Sequence, residues 1–295
     1  MSGATWLPPF VDHHVHLQLV EADRLRGSGL AGVVDLGGNP AVVARSARGA
    51  TAAADQGAPY VRFAGAFLAA PGGYPSGRAW CPDGAVREVR SPGDAEEAVA
   101  EQLSYGVSVV KVTLNADAGP VLDAGTLAAV VTAAHVGGVP VVAHVEGGGM
   151  TALALVAGVD ALAHTPWTEQ VDDGLVRRAA RVGQRWISTL AIHAHDEDAQ
   201  RSAVDNLGRF HDAGGRVLYG TDLGNGDLPL GVNRDEIAAL VLAGLDEDAV
   251  VAALTDPWPG TLHPDGLATR ILGVPPDDLA QLPAWLVSAE VGRRH

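Results

Sequence analysis

Residues 10–17 read FVDHHVHL, three imidazoles inside an otherwise apolar run. Histidine is a poor core residue and a good metal ligand. On a strand, successive side chains point to opposite faces, so Asp12, His14 and His16 share one direction while His13 and Val15 take the other. Two imidazoles two residues apart can grip one ion, although an HxH alone is weak evidence. His13, on the opposite face, reads as structural. Other ligand-type residues interrupt or end other apolar runs: Lys111 in VSVVKVTL, His144 in PVVAHV, His164 in VDALAH and Asp222 at the end of VLYGTD. A lone charged lysine in a buried strand is expensive unless it is paired or chemically altered. A single buried histidine is ordinarily a satisfied core group. Five such coincidences at the same end of five strands point instead to a shared metal centre.

The elements that must position these groups are short β-type runs alternating with Ala-rich helical ones. Strands are expected at 10–17, 30–37, 60–68, 107–114, 140–145, 159–164, 185–192 and 216–222, most of them near-continuously apolar, as parallel strands covered on both faces are. Asp94, with Glu97 three residues on, reads as a helix N-cap. Leu127, Val130, Val131 and Ala134 fall at helical spacing within 123–135, and further helices are expected at 150–157, 196–213 and 234–243. Eight strands with intervening crossovers predict an α/β fold, a (β/α)8 TIM barrel in a single domain over 1–295. Its core would span about 9–255, with 256–295 a C-terminal tail packed on it. A doubly wound sheet is the rival, but no GxGxxG or P-loop fingerprint opens a helix after the first strand. The Gly/Pro-rich 71–93 segment is too long for a simple connector and would lie over the active face.

Composition narrows the setting. A net charge of −15 argues against nucleic-acid or anionic-membrane partners. The single cysteine, Cys81, leaves no disulfide framework or Cys-rich zinc module and fits a reducing compartment. The start, MSGATWLPPF, lacks the basic and long apolar segments of a signal peptide, and no apolar run reaches the roughly 18 residues of a membrane span. The expectation is a cytoplasmic protein acting on a small molecule, with homo-oligomers left open.

The set Asp12-x-His14-x-His16, Lys111, His144, His164 and Asp222 resembles the amidohydrolase superfamily with a two-metal centre. So do SPGDAEEAVAEQLSYGVSVVKV, AAHVGGVPVVAHVEG, ALVAGVDALAH and GTDLGNGDLPLGVNRDEIAALVLAGL, which resemble its imidazolonepropionase- and prolidase-type branch over roughly residues 9–255. The resemblance implies that His14, His16 and Asp222 bind the more buried metal and that His144 and His164 bind the second. Lys111 would be an N6-carboxylysine bridging both. As a free amine, ordinarily protonated up to a pKa of about 10.4, it would repel a cation; unmodified and paired with Asp222, it would leave a one-metal site. Zinc suits imidazole and carboxylate ligands, with manganese, iron or cobalt as alternatives. Two such ions about 3.5–4 Å apart generate a bridging hydroxide, and Asp222 could serve as ligand and general acid/base. The chemistry implied is hydrolysis of a C–N bond in a small amide, cyclic amide or dipeptide-like substrate. The alternatives are a lactone, ester, carbamate or organophosphate hydrolase, or a non-catalytic binding module.

Four further residues are candidate substrate contacts. Tyr74 stands where related sequences often carry a histidine and could offer a hydroxyl or act as a lid aromatic. His193 lies just beyond the seventh strand, and Trp167 could wall the pocket. Glu146 shares the direction of His144 and could touch substrate or support a ligand. His135 reads as a helix-end group, and His195, His211, His263 and His295 as exposed. Most members of this branch thread the barrel between two halves of a small β-sandwich. With nine residues ahead of the first strand and no return strands recognisable after the last helices, a barrel without the sandwich is expected.

Overall fold

The computed structural model describes residues 3–260 and 265–294. His263 and His295 lie outside them. Parallel strands form two sheets. The larger has seven strands, in the order Arg216–Leu218, Arg185–Ile187, Ala161–Leu162, Val141–Glu146, Val110–Asn115, Phe67–Ala69 and Val86–Glu88. The smaller pairs Val11–Val15, Gly32–Asp35 and Tyr60–Phe63. Every strand expected from the sequence is present, but the regular pairing is split between two sheets and does not run as one continuous eight-strand ring.

The split has a local cause. The expected 60–68 run breaks at Gly65, whose φ of +77° only glycine adopts freely, and the Gln102 side chain takes the Ala66 N–H at 2.9 Å. The chain leaves one sheet as Tyr60–Phe63 and enters the other as Phe67–Ala69. Backbone hydrogen bonds connect the sheets on both sides. Ser108 N–H donates to Phe63 O; His13, Asp222 and His16 N–H groups donate to Tyr219, His14 and Leu223 carbonyls. One buried apolar cluster takes side chains from all eight expected strand segments: Val11, Val34, Ala64, Val109, Val142, Ala161 and Ala163, Ile187 and Leu218. Trp258 from the tail packs against the same cluster.

Helices cover the outer faces, and side-chain caps start most of them. Asn39, Asp123, Asp172, Asp196, Asn233 and Asp246 accept N–H groups of the first turns that follow them. The cap of Pro92–Ser104 is Ser91, not Asp94 as the sequence suggested. Asp94 sits inside the first turn, and its carboxylate is taken by Arg87 and the Arg90 N–H. The 71–93 segment also carries a short strand, Val86–Glu88, parallel to Phe67–Ala69.

The tail beyond the helix Glu247–Thr255, expected to hold no sheet, contributes two strands. Leu267–Leu272 pairs antiparallel with both Ala4–Leu7 and Glu290–Arg293, making a third, three-stranded sheet from the two ends of the described chain. Thr5 opposite Ile271 is a pairing between distant segments that leaves no local signal in either. No helix among the described residues is long and apolar enough to cross a membrane.

Candidate metal centre

All six expected ligands line one cavity of about 170 Å³: His14, His16, Lys111, His144, His164 and Asp222. Each is buried. His14 lies on the strand Val11–Val15 and His16 just past its end, and their Nδ1–H groups donate to the carbonyls of Ala163 (2.8 Å) and Gly37 (2.9 Å). That fixes both tautomers and turns both Nε2 lone pairs inward. The two Nε2 atoms are 3.3 Å apart, and Asp222 Oδ1 stands 3.1 Å from the first and 3.3 Å from the second. A donor atom of His164 joins those of His14 and Asp222, all within 4.8 Å of one another. The His144 and His164 rings are 4.9 Å apart, edge to face.

This centre attracts positive charge. Burial opposes ionisation of Asp222, but His14, His16 and His164 hold its carboxyl well below the usual carboxylate range. Burial pulls His14 and His164 well below the ordinary imidazole value, leaving them in the neutral form that binds metals. At His16 burial acts in the same direction, but Asp222 and Asp35 outweigh it and raise the imidazole. Burial lowers the Lys111 ammonium to about 7, against the pull of Asp222 and Asp35. Two imidazole nitrogens and a carboxylate oxygen gathered within 3.1–3.3 Å of one another form a donor set that suits a divalent ion.

Buried neighbours hold these groups in place. Asp12 accepts N–H groups of His14 (3.0 Å) and Thr221 (3.1 Å) on Oδ1 and the Thr221 hydroxyl (2.6 Å) on Oδ2, tying the HxH strand to the segment that carries Asp222. Asp35 accepts from Leu17 and Gly37, and Gly37 O in turn receives His16. Thr189 Oγ1 lies 2.9 Å from His164 Nδ1. Thr189 (φ +44°) and Asp222 (φ +58°) are the non-glycine residues with left-handed backbone among those described. For β-branched Thr189 this conformation is strained, so strain gathers at the centre.

Of the candidate substrate contacts, Tyr74 lines the cavity and stacks on His144 at 5.0 Å. Its carbonyl receives the Thr113 hydroxyl at 2.5 Å. Burial raises its phenol, which stays protonated. Trp167 stands edge-on to His144 and His164 at 5.8 and 5.5 Å. His193 packs behind it at 4.9 Å, and burial lowers its imidazole to about 4. Glu146 is engaged by the site itself: Oε2 accepts from His144 Nε2 at 3.0 Å and Asn115 Nδ2 at 2.5 Å. It thereby holds the His144 ring through Nε2.

The remaining histidines are structural or peripheral. His13 lies between the carbonyls of Tyr219 (2.8 Å) and Asp256 (3.0 Å). His135 pairs with Asp160 at 2.8 Å, and His195 is exposed. His211, expected to be exposed, is half-buried. Sequence reasoning missed Phe67, Trp80, Thr113 and Asn225, which also line the cavity. Thr113 carried a signal, being two residues beyond Lys111 on the same strand face.

The class so defined is an α/β protein that gathers a buried His/Asp donor cluster with a buried lysine at the ends of its parallel strands. Its fold is shared with solved prolidases and an amidohydrolase, as the resemblance carried by the sequence implies. An Xaa-Pro dipeptidase with methionine in its active site superposes with a TM-score of 0.77 at 19% identity, covering 98% of this chain and 86% of that one. The A. niger ochratoxinase gives 0.76 at 18% identity, covering 98% and 82%. A prolidase complexed with N-methylphosphonate-L-proline gives 0.71 at 19%, covering 99% and 88%. No protein-family model and no curated protein matches the chain.

Proposed function

We propose that this chain is a metal-dependent hydrolase of the amidohydrolase superfamily, cleaving a C–N bond of a small amide, cyclic amide or dipeptide-like compound. The two parallel sheets are arcs of a single (β/α)8 barrel, since one interior cluster draws on all eight strand segments and backbone hydrogen bonds cross both seams. The observation that carries the function is the convergence of His14, His16, His164 and Asp222 donor atoms beside buried Lys111. Neighbouring folds that include an Xaa-Pro dipeptidase and a prolidase support the C–N assignment.

His14, His16 and Asp222 would hold one divalent cation and His144 and His164 a second, zinc being the best match to the donors. Two such cations supply the positive charge that acidifies water and polarises a carbonyl. Lys111 reaches its role by modification. With burial bringing its ammonium to about 7, much of the amine is neutral near neutrality. The neutral nitrogen adds to carbon dioxide, forming an N–C bond and releasing one proton. The resulting carbamate would offer an anionic oxygen to a cation where an ammonium would repel it. Asp222, kept ionised, takes the proton of the attacking water and delivers it to the departing nitrogen, so one carboxylate is base and then acid. Asn225 donates to its other oxygen at 2.8 Å and fixes its orientation. Tyr74, protonated and stacked on His144, would donate to a substrate oxygen.

The test is metal content together with turnover. The zinc- or manganese-loaded chain is expected to carry about two ions and to hydrolyse members of a panel of N-acyl amino acids, dipeptides, cyclic imides and anilides. Metal-free protein that stays inactive against the whole panel after loading would refute the reading.

A further inference from the structure

The 71–93 loop carries three arginines, and acids match only two of them. Arg87 pairs with Asp94 and Glu101, and Arg90 pairs with Glu88. Arg78 is exposed, and among the described residues its guanidinium has no ion pair and no hydrogen bond. It lies instead over the Tyr74 ring, 5.8 Å from the centroid. With 35 acidic residues against 20 basic ones, the chain has carboxylates to spare, Asp83 of the same loop among them. This cation is nevertheless left open.

Its place decides what that charge meets. Tyr74 lines the metal cavity and stacks on His144 at 5.0 Å, so Arg78 stands just outside the lining. It lies at most about 11 Å from the His144 ring, a span of about two extended residues and one hydrogen bond. The Tyr74 hydroxyl, kept protonated by burial, has no partner among the described residues either. Two open donors from one loop therefore neighbour each other beside the cavity. The floor works in the same direction. Under the proposed function, two divalent cations outweigh the carboxylates of Asp222 and Glu146 and a carbamate on Lys111, leaving net positive charge. An ammonium on the substrate is repelled by that charge, and a carboxylate is drawn to it. The guanidinium adds shape, since its paired N–H groups match both oxygens of a carboxylate.

We infer that Arg78, with the Tyr74 hydroxyl beside it, is a specificity-determining residue that selects amides ending, beyond the scissile bond, in a carboxylate. This rests on the hydrolase reading above and narrows its substrate class. A neutral compound of the same shape loses the charged contact, which at an exposed position is worth up to about fivefold in affinity.

Three hydroxamates grip a metal centre by one end and differ at the other. Acetohydroxamate has no far group, succinate monohydroxamate ends in a carboxylate, and succinamide hydroxamate ends in a neutral amide of the same shape. Dissociation constants are measured on the zinc-loaded full chain. The carboxylate probe is expected to bind about fivefold tighter than the amide probe. Arg78→Lys should keep part of that ratio, Arg78→Ala should lower it, and Arg78→Glu should lower it further. Acetohydroxamate should bind all four chains alike, and because Arg78 is exposed and unpaired the fold should survive each change. A purely structural role for Arg78 would instead shift all three probes together, and that result overturns the inference. So does a ratio unchanged in Arg78→Glu, or a wild-type chain that prefers the amide; each leaves the metal-centre reading standing. Acetohydroxamate that fails to bind the zinc-loaded wild type overturns that reading, and this inference with it.

Discussion

Glu146 Oε2 stands 3.0 Å from Nε2 of His144, and Asn115 Nδ2 secures the same oxygen from the other side at 2.5 Å. A carboxylate behind an imidazole fixes its tautomer and makes the far nitrogen a better donor. The Nδ1 of His144 is the atom so presented. Glu146→Gln and Asn115→Ala should each weaken binding of the second metal by about 10–100-fold while sparing the first. Metal titration followed by mass analysis of the loaded protein should fall from about two ions toward one at limiting metal. Unchanged affinity for both ions would remove Glu146 from any supporting role.

Lys111 sets function against stability. An amine buried to 1% exposure is disfavoured in its charged form, as the fall to about 7 shows. Lys111→Met fills the same space without an ionisable group. In chelator-treated protein this variant should melt higher than the wild type, and after reloading it should hold fewer ions and turn over no substrate. A variant that keeps two tightly bound ions and its activity would exclude the bridging role.

Asp12 joins the strand Val11–Val15 to the segment carrying Thr221 and Asp222, which no local sequence connects to it. Its carboxylate accepts two backbone N–H groups and a hydroxyl, at 2.6–3.1 Å, in a site without solvent exposure. Removing it strands buried donors at about 1–3 kcal/mol each. Asp12→Ala should therefore lose on the order of 3 kcal/mol of unfolding free energy in urea, and Thr221→Val about 1–2 kcal/mol. A loss below about 1 kcal/mol for Asp12→Ala would show that the strands are held by other contacts.

Glu236 gives a pH signature at the turn that follows Thr189. It is fully buried, accepts the Ala191 N–H at 2.7 Å and so holds the turn Leu190–His193, and burial raises its carboxyl to about 7. Because the folded value lies above the usual 4.5, the folded state binds the extra proton between those values. The stabilisation is complete below about 4.5 and is lost as pH rises through about 7. The thermal midpoint should fall between pH 5 and pH 8, with a shallower slope in Glu236→Gln. Parallel slopes in the two proteins would mean that Glu236 is ionised throughout.

Much of the centre could be read along the chain because its donors obey local rules. His14 and His16 are two apart on a strand, and Lys111, His144, His164 and Asp222 each interrupt or end an apolar run where polarity is costly. Strand positions were equally legible, since eight buried runs leave near-continuous apolar stretches. Chain order could not show which groups would meet from different segments. The Asp12–Thr221 link, the strained Thr189 behind His164, the Trp80 wall and the pairing of Ala4–Leu7 with Leu267–Leu272 all join remote segments. None has a period to detect. Glu146 shows the boundary between the two kinds of knowledge. Its spacing from His144 gave its direction, and only the folded neighbourhood showed that its carboxylate meets both His144 and Asn115. Local periodicity fixes which face a side chain takes, while its partner depends on how distant segments pack.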